Sequence, residues 1–267
     1  MELSDTLNAI HIGHKQSIDL LRSYLLHIDG SIKKLQQEHE TIIEKLEAAR
    51  LGNSNIGPFT PSEHVKVSPE LVDRVVEAIK FIHGRTSEYP NLTYRMLFVY
   101  LVALFDAFLS DIFSAVARTR PHVLRSSKKQ ISYDRLLEFS SFDALVDFIV
   151  SRELNELSYK SIRDQTDYYR DRFGVALEES GVAVAELIEL RAARNLLVHN
   201  NGVVNNIYME LVPDTTYRLG DELRVDACYF EKSLESLETV ADFIPRKLIE
   251  KHGRKPTMSG NTSISAG

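Results

Sequence analysis

Residues 189–202 read ELRAARNLLVHNNG, which combines a helix with its stop signal. Leucines recur at helical spacing before and within this segment, and its two alanines favour a helix. The Asn-Asn-Gly sequence at 200–202 tolerates the left-handed backbone of a helix C-terminal cap. We therefore predict a helix over about 182–199 that carries His199 in its last turn.

Three side chains of different chemistry meet at this helix end. Asn195 lies four residues before His199 and shares its face, and the long side chain of Arg194 can reach the same point. An arginine can hold a phosphate, an imidazole can transfer a proton and an amide can orient either group. The pattern predicts a phosphodiester site; the alternative is that Arg194 pairs with a carboxylate and His199 only caps the helix. Arg191 lies nearer the face of His199 than Arg194 does, so it competes for the phosphate.

The sequence around this site resembles one known family. Arg194-Asn195-x-x-x-His199 is similar to the R-N-x-x-x-H form of the R-x(4–6)-H motif of HEPN ribonucleases. Residues 199–205 resemble the H-x-x-G-x-x-N continuation of the RiboL-PSP-HEPN branch. A Y-x-x-G-D-x-h-x-h segment at 217–225 (h, apolar) and an acidic helix at 104–112 are also similar to that branch. The likeness covers roughly residues 88–250.

The resemblance implies an up-and-down four-helix bundle that works as a homodimer, with two motif helices facing each other across a cleft. It implies a metal-independent endoribonuclease in which the neighbouring 2′-hydroxyl attacks the phosphate. His199 is then the general base or acid, Arg194 stabilises the phosphorane and Asn195 orients them. The products are a 2′,3′-cyclic phosphate and a 5′-hydroxyl. A toxin or antiviral defence effector is one role that the resemblance makes plausible.

The rival hypothesis comes from another functional class. HEPN-like domains also occur as inactive partners of nucleotidyltransferases, so the chain can instead be a non-catalytic module for dimerisation or protein interaction. Neither hypothesis needs a cofactor. No cysteine cluster and no carboxylate spacing of a two-metal nuclease occurs, so we expect no metal.

The amino-terminal region predicts one long helix over residues 5–50. Apolar residues alternate at steps of three and four from Ile18 to Leu46, as in a heptad seam, and stay in phase across Asp29-Gly30. A seam this narrow needs a partner, which is either a second copy, another protein or the rest of this chain. We expect an extension at 1–50, a linker at 51–67, an HEPN-like domain at 68–252 and a disordered tail at 253–267.

The helix predicted at 91–119 is apolar nearly all round, except for Asp106. An unpaired buried carboxylate is costly, so Asp106 either pairs with a cation, for which Arg194 is the candidate, or faces water. A run of cations without an acid follows this helix and is a candidate RNA-backbone contact, unless it is only a solvated loop. Its members are Arg118, Arg120, Arg125, Lys128 and Lys129.

The remaining elements predict a mainly all-α protein with a small β-hairpin. Residues 207–212 have strand character and are expected to pair with 224–226, before a last helix at 229–250. The single cysteine, Cys228, excludes an internal disulfide and favours a cytoplasmic setting. We predict no signal peptide and no membrane span. The net charge of −6 argues against a general nucleic-acid coat protein but allows a local basic groove.

Overall fold

Helices make up most of the chain. A computed structural model describes residues 2–50, 69–125 and 129–252. Within these ranges it has nine α-helices and no strand: α1 (Leu3–Arg50), α2 (Pro69–Thr86), α3 (Tyr89–Thr119), α4 (Tyr133–Leu137), α5 (Phe142–Ser158), α6 (Ile162–Tyr168), α7 (Val184–Asn200), α8 (Asn206–Leu211) and α9 (Ala227–His252). A π-helical turn, Tyr169–Phe173, continues α6. The prediction of a mainly all-α protein is confirmed.

Three predictions fall outside the described residues: the linker at 51–67, the tail at 253–267 and the contribution of Lys128. The division into an extension and a main domain therefore stays a prediction. By their contacts, the described residues form two compact units. Among these residues, the first unit draws on 2–17, 99–125, 129–223 and 231–252, and the second on 18–50, 69–98 and 224–230.

The core of the first unit surrounds α7. Its buried side chains come from α3, the π-helical turn, α7 and α9: Phe105, Phe108, Ile112, Phe113, Val116, Tyr169, Phe173, Leu187, Leu190, Leu196, Leu234, Leu237, Val240, Ile244 and Leu248. The buried hydroxyl of Tyr169 donates a hydrogen bond to the Leu109 carbonyl at 2.7 Å, so this polar group in the core has a hydrogen-bond partner. The Ser236 hydroxyl of α9 donates to the Glu186 carboxylate of α7 at 2.6 Å. These contacts fix α7, which carries the predicted site.

The long amino-terminal helix is continuous, as predicted, and runs through Asp29-Gly30 without a break. Four seam residues are buried within the single chain: Ile18, Leu21, Leu25 and Ile32. In the second unit, α1 lies beside α2, where the Gln36 amide donates to the Thr86 carbonyl at 3.2 Å. These residues favour the same chain as partner for the first part of the seam. An additional protein partner for α1 stays a prediction.

The predicted β-hairpin is wrong. Residues 206–211 form the short helix α8 instead of a strand. The Asn205 side chain caps α8 by accepting a hydrogen bond from the Tyr208 amide at 2.9 Å, and the Tyr208 side chain is buried. The cap and this burial outweigh the strand preference of the local isoleucine, tyrosine and valine. One antiparallel bridge, between Val203 and Glu222, is all the β-structure that the described residues contain.

One helical stretch within Asp73–Thr119 is apolar and long enough to cross a membrane by length and composition alone. Half of the most apolar 18-residue segment of this stretch is buried inside the protein. A helix that is apolar nearly all round is found both in cores and in membranes. The predicted absence of a membrane span and the cytoplasmic location therefore stay predictions.

Candidate functional site

The end of α7 has the geometry that its sequence predicts. Asn201 adopts a left-handed conformation, with φ 50° and ψ 30°, and Gly202 follows with φ 81°. The Asn201 and Gly202 amides both donate to the Leu196 carbonyl, the latter at 2.9 Å, so the left-handed residues close the helix end. The predicted stop signal is confirmed. It leaves His199 exposed in the last turn of α7.

The segment after this cap is braced by backbone hydrogen bonds. The Val204 amide donates to the Asp221 carbonyl at 2.8 Å, and the Gly220 amide donates to the Val204 carbonyl at 2.9 Å. The Leu223 amide donates to the Gly202 carbonyl at 2.8 Å. The Gly-Asp segment at 220–221 therefore holds the backbone that follows His199, and the residues after the motif have a structural function.

Asp106 of α3 lies between two arginines of α7. Its Oδ2 is 2.9 Å from Nη2 of Arg194, and its Oδ1 contacts Nη2 of Arg191. The side chains of Arg191, Arg194 and Asp106 are only 17%, 25% and 26% exposed, so the cluster is largely shielded from water. The predicted pairing of Asp106 with Arg194 is confirmed. Because Arg191 pairs with the same carboxylate, the pairing alone does not choose between the two arginines as the phosphate-binding group.

The cluster of Asp106, Arg191 and Arg194 carries a net positive charge, since two guanidinium groups share one carboxylate. In the part of the chain that the structure describes, the Nε atoms of both arginines are buried without a hydrogen-bond partner. A hollow of about 240 Å³ lies against the cluster and is also lined by Ser110 and Gln165. The hydroxyl of Ser110, the amide of Gln165 and the excess cation suit a small anionic group, although leucines form part of the wall.

A larger hollow, of about 460 Å³, also reaches Arg191. Asn195 lines this hollow together with Tyr159, Lys160 and Arg163, which follow α5 and begin α6. The structure thus places Arg194 on the first hollow, Asn195 on the second and Arg191 on both. His199 lines neither of the two.

Sequence reasoning missed the contribution of residues 159–163. The available signal was local: the sequence Tyr-Lys-Ser-Ile-Arg places an aromatic residue and two cations close together before the acid Asp164. Its position beside Asn195 depends on the packing of α6 against α7, and no sequence spacing indicates that packing.

The predicted RNA-binding run is largely engaged in other contacts. Arg118 pairs with Asp147 at 2.7 Å, and Lys129 pairs with Glu153 and with Glu156, the latter at 2.6 Å. The Arg120 guanidinium donates to the carbonyl of His252. Three of the four described members therefore have side-chain partners within the chain, and the side chain of Arg125 is the exception. Binding of RNA by this run stays a prediction.

Among residues 2–50, 69–125 and 129–252, no group of three or more His, Cys, Asp or Glu side chains is arranged to hold a metal ion. No protein-family model, no curated protein and no solved structure matches the chain.

Proposed function

We propose that the protein is a metal-independent endoribonuclease that acts through Arg194, Asn195 and His199. The observation that carries this proposal is the exposure of Asn195 and His199 on one face of α7, the helix that also carries Arg191 and Arg194 of the net-positive cluster. The resemblance of Arg194-Asn195-x-x-x-His199 to the HEPN ribonuclease motif supports it. The proposal includes the finer fold, an HEPN-like up-and-down bundle.

In the proposed reaction, the His199 imidazole accepts the proton of a 2′-hydroxyl. The 2′-oxygen forms a bond to the adjacent phosphorus, and the bond from phosphorus to the 5′-oxygen breaks. A general acid protonates the leaving 5′-oxygen, so the products are a 2′,3′-cyclic phosphate and a 5′-hydroxyl. The arginine cluster stabilises the charge that develops on the phosphorane, and the Asn195 amide orients the phosphate or the imidazole.

A second copy of the chain supplies the general acid in this proposal, through its own His199. Exposed apolar side chains near the end of α7 support such a contact: Val198 lies beside His199, and Ile207 and Leu211 project from α8, which packs on α7. Apolar side chains grouped on a surface are typical of association sites. A role as a toxin or antiviral defence effector belongs to the same proposal.

The test is incubation of the purified protein with mixed RNA in EDTA, with analysis of the product ends. We expect the wild type to leave 2′,3′-cyclic phosphates and His199→Ala and Arg194→Ala to leave RNA intact. His27→Ala is the matched control, because His27 is another exposed histidine and lies outside both the motif and the basic run. Circular dichroism and size-exclusion chromatography verify that each variant keeps its fold and its oligomeric state. Unchanged cleavage by His199→Ala would refute the proposal.

A non-catalytic interaction module is the second candidate, and one observation favours it. Asp106 already binds both arginines, so the motif has a structural function without any substrate. This candidate predicts that wild type and His199→Ala both leave RNA intact, while substitution of the exposed Val198 by Asp changes the oligomeric state.

A further inference from the structure

The larger hollow has two cations at its edge that the protein itself does not use. Within the described ranges, the side chains of Lys160 and Arg163 make no ion pair and no hydrogen bond, and both are exposed. Tyr159, next to them, is 85% exposed. Elsewhere in the first unit, many cations are held by acids or carbonyls, as in the run that begins at Arg118. The 159–163 segment therefore presents free positive charge and an open aromatic ring.

The hollow is connected to the motif through α7. Arg191, Asn195 and His199 follow one another at intervals of four residues, so they share a helix face. Each interval advances about 6 Å along the axis of a helix, which is comparable to the length of one nucleotide. Arg191 and Asn195 line the hollow, and His199 comes one step further along the same face.

We propose that this hollow binds a nucleotide of single-stranded RNA that neighbours the phosphate at which His199 acts. Lys160 and Arg163 contact the backbone phosphate, and the Tyr159 ring stacks on the base. The Glu210 carboxylate provides acceptors for the edge of the base. The inference rests on the proposed function for the identity of the reacting phosphate, while binding of RNA in the hollow can be tested without cleavage.

Three features favour a nucleotide over other ligands. The volume of about 460 Å³ accommodates a base with its sugar and phosphate. Ile162, Ile188 and Ala192 add apolar surface to the lining, which suits the flat face of a base. Proteins that bind single-stranded nucleic acid combine an exposed aromatic ring, on which a base stacks, with nearby cations that contact the backbone. An acidic protein segment would use the cations alone.

The experiment measures binding of a fluorescently labelled oligoribonucleotide of about ten nucleotides by fluorescence anisotropy. The full-length His199→Ala protein serves as the background, so that no RNA is cut. We expect Tyr159→Ala to weaken binding about fivefold to a hundredfold. The double variant Lys160→Ala/Arg163→Ala should reduce the slope of log K against log salt by about 1.4, since each lost contact to a single strand contributes about 0.7.

Matched controls come from the same chain. Tyr133 is also 85% exposed, and Tyr133→Ala should bind RNA like the background protein. Lys232 is an exposed cation of α9 without an ion pair in the described residues, and Lys232→Ala should leave the salt slope unchanged. These controls separate a local site from a general loss of aromatic surface or positive charge.

Two results would overturn the inference: RNA binding that is unaffected by all three substitutions in the 159–163 segment, or no RNA binding by the background protein at low salt. The first is also the result expected if the hollow takes an acidic protein segment. If wild type cleaves RNA but these substitutions do not change RNA binding, the inference is refuted and the proposed function is not. If RNA binds through the hollow but wild type does not cleave it, the proposed function is refuted and binding in the hollow is not.

Discussion

Replacement of Asp106 by Asn tests how far the two arginines of α7 depend on their shared carboxylate. The change keeps the shape of the side chain and removes its charge. Arg191 and Arg194 would then lie side by side without a counter-charge, in a site where 17% and 25% of their side chains are exposed. Asp106→Asn should therefore destabilise the folded protein.

The expected magnitude follows from the burial of the cluster. Removal of one partner from a fully buried ion pair destabilises a protein by about 3–5 kcal/mol. Here the exposed fraction reaches 26%, and the adjacent hollow of about 240 Å³ can admit water, so solvent screens part of the repulsion. The asparagine oxygen also accepts one of the lost hydrogen bonds. We expect a loss of about 2 kcal/mol in the free energy of unfolding.

Urea unfolding of wild type and Asp106→Asn at equal protein concentration measures this loss. The matched control is Asp111→Asn, because Asp111 lies on the same helix, is exposed and makes no ion pair within the described residues. The control should change the free energy of unfolding by less than about 0.5 kcal/mol. A loss in Asp106→Asn no larger than that of the control would refute the reasoning, since the arginines would then not need the carboxylate.

Four further substitutions have expected effects on urea unfolding. Burial lowers the pKa of His14 from 6.5 to about 4, so the folded state binds fewer protons than the unfolded chain between these values. Wild type should therefore lose about 2 kcal/mol from pH 7 to pH 5 through this group, and His14→Leu should remove that part of the loss. Gly202→Ala should destabilise by about 1 kcal/mol because φ is 81° there, whereas Gly13→Ala in open space on α1 should stabilise by about 0.5–1 kcal/mol. Asn205→Ala should lose about 1 kcal/mol with the cap of α8.

The long helices could be predicted because their information is local. The seam of α1 keeps its phase across Asp29-Gly30, and the helix runs through both residues. The predicted strand failed for a non-local reason. The Tyr208 side chain is buried and its hydroxyl donates to the Glu189 carboxylate of α7 at 3.3 Å, and no pattern within residues 207–212 indicates that partner.

The candidate site was predictable to a similar extent. A lone carboxylate in an apolar helix pointed to a cation as partner of Asp106, and Arg194 is one of the two that bind it. The second partner is Arg191, and only the packing of α7 against α3 brings both arginines to the one carboxylate. The prediction from the basic run was misleading because the partners of its cations lie elsewhere in the sequence. Its own segment contains no acid, but α5 supplies Asp147, Glu153 and Glu156 from outside it.

The two alternatives that the sequence left open for Arg194, an ion pair or a phosphate contact, are compatible with each other. A guanidinium group has five N–H donors, and the contact with Asp106 occupies one nitrogen, Nη2, of each arginine. Asp106 holds both planar groups in place beforehand, so less conformational entropy is lost when an anion binds to the remaining donors. A lysine at either position would present a single ammonium group without the planar, fixed fork of a guanidinium, so it would be less well oriented toward the phosphate. The pairing with Asp106 therefore counts as positioning of the arginines and does not argue against their contact with RNA.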